Sequence, residues 1–467
     1  MNGTAIQTHQ AVSARHERLT LGLLVSAQFL VMLDTSIVNV ALPSIQSELG
    51  FGPASVTWVV NAYVLAFAGL LLLSGRVADL FGRRRVFVVG ASLFTLGTLL
   101  AALAVSQELL ITGRVVQGIG AACLSPAAMS MLLSTFPPTQ RAKAMGAWGA
   151  ASTLGGASGV MAGGVLAGSF GWRAVFLVTV PVSLAAVALA RRVLVEDAPG
   201  TPRTFDWAGA AVVTGALITL VHGAVDAVDH SWTSPRVGGL LVVSAMLMAA
   251  FVAIERRAQD PLVPLEVLRS RDLRRATALA LFGGASRAST FVLVALYFQQ
   301  ILAMSPEQAG FAMVPTSLAG FAVSLTLLPR AIGTMGPARS LVIGLLVLAA
   351  GHLWLGYAPF GSGYAIGVLP GLLLVATGVA LSFTPTTMVL TSAAPETHRG
   401  LASGLAAASM QIGGAVGTAA FIVIGVAAGR QADGALDATG FSAAFTAAAA
   451  VALLTAAVGL TFTRSRA

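Results

Sequence analysis

The chain has 467 residues, of which 56% are hydrophobic and only 10% are charged, and its mean hydropathy is +0.86. A soluble domain carries about 25% charged residues, so this composition excludes a string of water-soluble domains and predicts a polytopic membrane protein. The formal net charge is +9, and the single cysteine, Cys123, excludes an intrachain disulfide and a cysteine-based metal cluster.

Apolar runs long enough to cross a bilayer recur along the whole chain. A spanning helix needs about 20 apolar residues, and we find fourteen such runs bounded by charges, proline or glycine. They lie at 20–43, 55–75, 86–106, 109–133, 144–168, 173–190, 207–224, 237–254, 276–302, 308–328, 340–357, 364–390, 401–428 and 441–462. The sequence therefore predicts an all-α fold with fourteen transmembrane helices.

The basic residues orient these spans. With the amino terminus inside, 22 of the 27 basic residues fall in cytoplasmic segments and two, Arg114 and Arg287, lie within spans. Only three fall in outer segments: Arg173, Arg236 and Arg430. Cytoplasmic loops are enriched in arginine and lysine, so we expect both termini in the cytoplasm and the chain in the inner (plasma) membrane. The positive charge is then a feature of topology, and no nucleic-acid partner is expected.

An internal repeat relates the two ends of the chain. At an offset of 254, Arg76, Gly82, Arg85 and Gly90 recur as Arg330, Gly336, Arg339 and Gly344, and eight positions from Gly113 to Gly159 recur at an offset of 258. We predict two six-helix bundles at 20–193 and 276–463, with two inserted helices at 205–256. The segments 1–19 and 257–275 are expected to be cytoplasmic. Parallel halves of six helices are typical of secondary transporters, with the substrate site between them.

Two opposite charges lie inside predicted spans, Asp34 in the first and Arg114 in the fourth. Such a residue costs about 2.5–3.5 kcal/mol on insertion scales and is a functional candidate. Both lie about 9 Å below the outer edge of the hydrocarbon core, counted at about 1.5 Å per residue. We expect them to pair directly or through water, so that the carboxylate can load and release a proton. The alternative is a purely structural buried ion pair.

The connection after the second span carries a further candidate element. Orientation alone requires only its basic residues, whereas the acidic Asp79 suggests a conformational switch; simple orientation is the alternative. The residues of this predicted switch loop are Gly75, Arg76, Asp79, Gly82, Arg83, Arg84 and Arg85.

Glycines recur through the fifth span, where Gly155, Gly159 and Gly163 share one helix face beside Gly164. Small residues at this spacing permit close helix approach. We interpret them as a bending point at the interface between the halves, with ordinary small-residue packing as the alternative.

These motifs resemble the fourteen-helix drug:proton antiporter branch of the major facilitator superfamily over essentially the whole chain. Residues 75–85 resemble the signature loop after helix 2, and residues 33–43 resemble the first-helix motif of the branch. Arg114, followed by Gln117, is similar to the fourth-helix motif, whose arginine is associated with proton transfer. The fifth-helix motif carries proline where this chain has Val160. The resemblance implies export of hydrophobic drugs or antibiotics in exchange for protons, driven by the proton motive force without a cofactor or metal.

Further polar and aromatic residues in the spans are candidates for the lining of a substrate cavity. Arg287 lies at the position of Asp34 plus 253, and we expect it to favour anionic or neutral substrates. The candidates are Asn39, Asn61, Tyr63, Gln117, Arg287, Phe291, Gln299, Trp354 and Gln411.

Other function classes are disfavoured to different degrees. The sequence contains no phosphate-binding loop and no His-Glu-x-x-His motif, so we expect neither an ATP-driven pump nor an intramembrane enzyme. Two alternatives stay open: an uptake symporter or facilitator for a small metabolite, and a non-transporting membrane sensor or scaffold. The expected partners are a hydrophobic small molecule, protons and the lipid bilayer, and the expected state is a monomer.

Overall fold

We describe the chain from a computed structural model. It describes residues 2–52, 55–194, 206–230, 234–258, 261, 263, 270–304, 306–357, 363–395, 399–429 and 436–464. Nine of the nineteen residues of the predicted linker at 257–275 therefore lie outside the described residues, as does Arg430.

The chain divides into two compact units. Unit 1 comprises Met1–Tyr63 and Val77–Pro202, and unit 2 comprises Val64–Arg76 and Arg203–Ala467. The change from unit 1 to unit 2 after Pro202 falls between the end of the predicted first bundle at 193 and the predicted inserted pair that starts at 205.

Every regular element in the described ranges is helical. The first seven helices are α1 (Asn2–Leu49), α2 (Trp58–Phe81, after a 3₁₀ turn at Ser55–Thr57), α3 (Arg83–Ala102), α4 (Gln107–Thr135), α5 (Pro138–Phe170), α6 (Trp172–Leu177) and α7 (Val180–Val193). The next eight are α8 (Trp207–His230), α9 (Pro235–Glu255), α10 (Arg271–Gln300), α11 (Pro306–Ala312), α12 (Val314–Tyr357), α13 (Leu369–Ser392, after a π-helical turn at Tyr364–Val368), α14 (Arg399–Ala428) and α15 (Ala438–Arg464).

Thirteen helical segments in the described part of the chain are long and apolar enough to cross a bilayer, against fourteen predicted spans. The difference arises in Gln308–Tyr357, a segment of 50 residues that contains both predicted spans 308–328 and 340–357. Only Gly336, with φ 80° and ψ 166°, departs from helical geometry inside α12. The two apolar runs are joined there without a loop, so helical structure continues on both sides of the glycine.

The predicted loop at 75–85 is mostly helical, which corrects the interpretation of this segment. Helix α2 continues to Phe81 and α3 begins at Arg83, so Gly82 alone joins the two helices. Its φ of 95° is readily adopted by glycine and rarely by other residues. One glycine therefore makes the whole turn that we had assigned to a longer loop.

Close helix packing depends on glycine in both units. A Cβ atom on Gly120 of α4 would lie 2.3 Å from the backbone nitrogen of Phe94 in α3. A Cβ atom on Gly378 of α13 would lie 2.5 Å from the backbone nitrogen of Leu348 in α12. Only the absence of a side chain lets these antiparallel neighbours approach so closely.

Candidate functional site

Asp34 and Arg114 form a buried ion pair inside unit 1. Helix α1 carries Asp34 and helix α4 carries Arg114, and Nη1 of the arginine donates to Oδ2 of the aspartate at 2.8 Å. Both side chains are only 1% exposed. The two charges that depth counting placed at one level are thus in direct contact. A pair this deeply buried offsets its desolvation cost only when further hydrogen bonds complete it.

Gln117 supplies those hydrogen bonds. Its Oε1 accepts from Arg114 Nη1 at 2.7 Å, and its Nε2 donates to Asp34 Oδ1 at 2.6 Å and to Thr98 Oγ1 at 2.9 Å. Gln117 lies one helical turn after Arg114 on α4, and Thr98 belongs to α3. The amide therefore ties three helices together around one carboxylate.

The guanidinium of Arg114 is held on two further sides by α2 and α6. Its Nε donates to the carbonyl oxygen of Val59 at 2.9 Å. Its Cζ lies 4.4 Å from the ring centroid of Tyr63 and 5.9 Å from that of Phe176. An aromatic face attracts a cation, more strongly where water is excluded. The positive charge of Arg114 thus keeps partners other than Asp34.

The hydrogen bonds of this network are compatible with either protonation state of Asp34. Each oxygen of the Asp34 carboxylate accepts from one donor, Oδ1 from Gln117 and Oδ2 from Arg114. A proton on the carboxylate removes the negative charge, while Arg114 retains Val59, Gln117 and the Tyr63 ring as partners. Neither state leaves the guanidinium isolated, so the network tolerates both an ionised and a neutral aspartate.

The predicted switch residues lie in the last turns of α2, at the Gly82 turn and in the first turn of α3. Asp79 forms an ion pair with Arg83 across the Gly82 turn, at 3.6 Å. Arg76, which groups with unit 2, is buried and donates from Nη2 to the carbonyl oxygen of Pro261 at 3.3 Å. Gly75 packs against α14, where a Cβ atom would lie 2.5 Å from the carbonyl oxygen of Gly400. Arg84 is half-buried and Arg85 is exposed in the first turn of α3.

The glycines of α5 face α1, so the close approach that they permit joins two helices of unit 1. Cβ atoms on Gly155, Gly159 and Gly163 would lie 2.6, 2.8 and 2.8 Å from backbone oxygens of α1. Gly164 differs, because its nearest contact would be a methyl group of Val40 at 4.0 Å. Val160 lies in α5, but its side chain is outside the described part of the structure.

The predicted cavity residues separate by burial. Tyr63, Gln117 and Arg287 are buried, whereas Asn61 and Gln411 are half-buried. Four others are exposed, and of these the Asn39 amide is bound to its own helix through the carbonyl oxygen of Thr35, at 2.9 Å. The exposed residues are Asn39, Phe291, Gln299 and Trp354. Within the described ranges, no three His, Cys, Asp or Glu side chains gather in a way that could hold a metal ion.

Comparison with known proteins identifies the family. The sequence pattern of the Major Facilitator Superfamily matches residues 24–418 and, in a second match, residues 277–467. The chain belongs to this superfamily. It is accordingly a multi-pass membrane transporter, and no enzymatic activity is indicated.

Curated relatives in the superfamily cover most of the chain. It is 37% identical over 403 residues to the cephamycin export protein CmcT of Amycolatopsis lactamdurans, which spans 85% of this chain and 83% of that protein. It is 35% identical over 467 residues to the puromycin resistance protein pur8 of Streptomyces alboniger, spanning 96% and 91% of the two chains. It is also 34% identical over 424 residues to the lincomycin resistance protein of Streptomyces lincolnensis, spanning 89% and 86%.

Solved structures of two membrane transporters share the fold. The human organic anion transporter MFSD10 (TETRAN) superimposes with a TM-score of 0.70 at 16% identity, over 95% of this chain and 99% of that one. The proton:xylose symporter XylE superimposes with a TM-score of 0.68 at 16% identity, over 96% of each chain. At this level of identity the likeness concerns the fold alone.

Several residues of the site carried no signal in the sequence. Thr98 and the carbonyl oxygen of Val59 complete the Asp34–Arg114 network, yet a threonine or a backbone oxygen in an apolar helix looks like any other. Ser382 and Thr386 of α13 contact Arg287, and nothing in the sequence indicated these contacts either. Hydroxyl residues in membrane helices commonly bond their own backbone, so only the structure distinguishes those that also contact a charge.

Proposed function

We propose that the chain is a proton-coupled secondary transporter that exports hydrophobic antibiotics or drugs by antiport against protons. The proton motive force drives it, and it needs neither ATP nor a cofactor. Relatives named for cephamycin export and for puromycin and lincomycin resistance support the substrate class. The observation that carries the coupling is the buried carboxylate of Asp34, held by Arg114 and Gln117 inside membrane-spanning helices.

The network supplies a physical route from proton binding to helix movement. When Asp34 is ionised, both of its oxygens accept hydrogen bonds from α4. A proton on Oδ1 turns that oxygen into a donor that faces the donating Nε2 of Gln117, and the loss of charge weakens the contact with Arg114. The contact between α1 and α4 then rearranges, which couples protonation to a population shift between two states of the transporter.

The proposed topology has fourteen spans, with both termini in the cytoplasm and the chain in the inner membrane. The segment Gln308–Tyr357 has 50 residues, about 75 Å of helix, which is more than twice a hydrocarbon core of about 30 Å. The non-helical Gly336 lies between the two apolar runs of this segment. These dimensions support two spans there, and the 22 to 3 distribution of basic residues supports the orientation.

Two six-helix repeats around an inserted pair, α8 and α9, complete the proposed architecture. Gly82 and Gly336, 254 positions apart, both have a positive φ, of 95° and 80°. Gly120 and Gly378, 258 positions apart, both press against a backbone nitrogen of a neighbouring helix, that of Phe94 or of Leu348. Glycines at equivalent positions of the two halves thus have the same backbone conformation or the same close contact. This agreement supports an internal repeat more strongly than a similar glycine content alone would.

The remaining roles belong to the same proposal. Residues 75–85 act as the conformational switch, and the glycines of α5 allow α1 and α5 to remain in contact as the states exchange. The residues assigned to the substrate cavity are Asn39, Asn61, Tyr63, Gln117, Arg287, Phe291, Gln299, Trp354 and Gln411. The transporter acts as a monomer.

The test is expression in a drug-sensitive host that lacks its own efflux pumps. Wild type is expected to raise resistance to at least one of a cephamycin, puromycin and lincomycin, and a protonophore is expected to remove that resistance. In proteoliposomes, an imposed pH gradient is expected to drive export by wild type and not by Asp34→Asn, because asparagine cannot ionise. Exchange of labelled for unlabelled drug, which needs no net proton movement, is expected to persist in the variant.

Asp226→Asn is the matched control, since Asp226 is a carboxylate of α8 paired with Arg236 at 2.9 Å, outside the Asp34 network. It is expected to retain gradient-driven export. Full gradient-driven export by Asp34→Asn at normal protein levels would contradict proton coupling at this residue. Gradient-driven accumulation of a metabolite without drug resistance would favour the uptake alternative, and no transport of any compound would favour a sensor or scaffold.

A further inference from the structure

Arg287 is a buried cation without an acidic partner. It lies sixteen residues after the start of α10 at Arg271, about 24 Å along the helix, and its side chain is only 4% exposed. Among the described residues, no carboxylate forms an ion pair with it, in contrast to Arg114 with Asp34. A guanidinium stays charged in proteins, so unit 2 holds a buried positive charge that its own residues do not neutralise.

The contacts of Arg287 with protein are weak and incomplete. Nη1 lies 3.4 Å from both Ser382 Oγ and Thr386 Oγ1 of α13, at the long end of hydrogen-bond distances. Those two hydroxyls donate their own hydrogens to backbone oxygens of α13, each at 2.7 Å, so towards Arg287 they only accept. Nη2 is buried and has no hydrogen-bond partner in the described part of the chain.

A glycine makes room for this guanidinium. Gly283 lies one turn before Arg287 on α10, and a Cβ atom there would be 2.9 Å from Nη1 and 3.0 Å from Nη2. The head group therefore folds back over a helix face that has no side chain. One turn further on, Thr290 contacts Nε2 of His352 at 2.5 Å, a polar pair that adds no negative charge.

We propose that Arg287 binds the carboxylate of the exported compound, so that carboxylate-bearing molecules are the preferred substrates of this transporter. The inference rests on the proposed drug export and specifies its substrate class. Nη2 is the donor that the protein leaves for the ligand, while Nη1 faces the hydroxyls of Ser382 and Thr386 on α13. A planar guanidinium suits a carboxylate because parallel N–H groups match its two oxygens.

The experiment compares an acid with its neutral ester in proteoliposomes. The probes are cefoxitin, a cephamycin with an ionised ring carboxylate, and its methyl ester, with puromycin as a compound without a carboxylate. Wild type is expected to export the acid faster than the ester. Arg287→Gln is expected to lose export of the acid by about tenfold or more, as for one charge-assisted hydrogen bond, and to keep export of the ester or of puromycin.

Gly283→Ala tests the site with Arg287 in place. The three atoms nearest to the added methyl group all belong to the flexible end of the Arg287 side chain, so the variant is expected to fold and to lose part of the preference for the acid. Arg287→Lys is expected to retain part of that preference through its charge. Arg339→Gln, which removes an exposed arginine of α12, is the control and is expected to leave the preference unchanged.

The outcomes separate this inference from the proposed function. Export of puromycin or the ester without preference for the acid, or an unchanged preference in both Arg287→Gln and Gly283→Ala, would overturn the carboxylate site and leave drug export standing. Absence of export of all three compounds would overturn the carboxylate site, and absence of lincomycin export as well would overturn both.

Discussion

Gln117 donates to Asp34 at 2.6 Å, on the carboxylate oxygen that Arg114 does not hold. Because the same amide also accepts from Arg114 at 2.7 Å, its orientation is fixed by both charges. Rotation of the amide would let its oxygen accept from a protonated Asp34, but the bond from Arg114 would then be lost. In the proposed mechanism, Gln117 therefore links the protonation state of the aspartate to the arginine, in addition to the direct contact between the two charges.

Gln117→Leu is expected to weaken the coupling between the two charges, which keep their direct contact. The change removes the donor to Asp34 and the acceptor for Arg114, and it leaves both side chains in place. Loss of even one charge-assisted hydrogen bond changes an equilibrium constant by about tenfold. The rate of gradient-driven drug export should therefore fall by about that factor or more. Export from proteoliposomes under an imposed pH gradient measures it.

Gln107→Leu provides the control for the loss of a glutamine from α4. The Gln107 amide donates to the carbonyl oxygens of Leu49 and Gly50, both at 3.0 Å, and it takes no part in the Asp34 network. We expect this variant to retain export. Equal export by Gln117→Leu and wild type, at equal protein levels, would show that the amide does not transmit protonation.

The pairing of Asp34 with Arg114 followed from the sequence because depth in a membrane can be counted. Helical rise is constant and span ends are marked by charges, so two residues on different helices can be assigned to one level. The partners Thr98, Val59 and Tyr63 did not follow from that count. Which neighbour faces a given helix depends on rotation about the helix axis, and apolar helices surrounded by lipid and protein carry little periodic pattern to define it.

Connections were harder to predict than spans. The basic, glycine-rich segment 75–85 looked like a loop, but helices continue through it and turn at Gly82 alone. The same occurs at Gly336, where two predicted spans adjoin within one segment. A single positive-φ glycine can replace a loop, and sequence does not distinguish such a glycine from those that serve helix packing.

Tyr63 is expected to stabilise unit 1 through its ring. The Arg114 guanidinium lies 4.4 Å from the ring centroid, and a desolvated cation–π contact contributes about 2 kcal/mol. Tyr63→Leu should therefore lower the thermal unfolding temperature of the purified protein in detergent by several degrees. Tyr63→Phe keeps the aromatic face and should lie closer to wild type. Equal unfolding temperatures for the leucine and phenylalanine variants would contradict a role for the ring.

The α1–α5 contact offers a test within one glycine pair. A Cβ atom on Gly155 would lie 2.6 Å from the carbonyl oxygen of Phe29, whereas one on Gly156 would be 3.7 Å from its nearest contact, Ser36 Oγ. Overpacking costs about 1–3 kcal/mol, so Gly155→Ala should reduce the amount of monodisperse protein recovered from membranes. Gly156→Ala, with the same chemical change on the adjacent residue, should not. Similar recovery of the two variants would mean that the helices separate at little cost.

Gly82→Ala isolates the cost of a backbone conformation from the cost of a contact. A Cβ atom on Gly82 would meet nothing within 4 Å, yet φ is 95° at this position, and such a conformation costs a non-glycine residue about 1–3 kcal/mol. Gly22→Ala in α1 is the control, because a Cβ atom there also meets nothing and φ lies outside the left-handed region. Alanine at Gly22 should stabilise by about 0.5–1 kcal/mol through helix propensity. The thermal unfolding temperature should therefore fall for Gly82→Ala and should rise or stay unchanged for Gly22→Ala. A shift of the same sign in both variants would mean that the turn between α2 and α3 relaxes to accept a side chain.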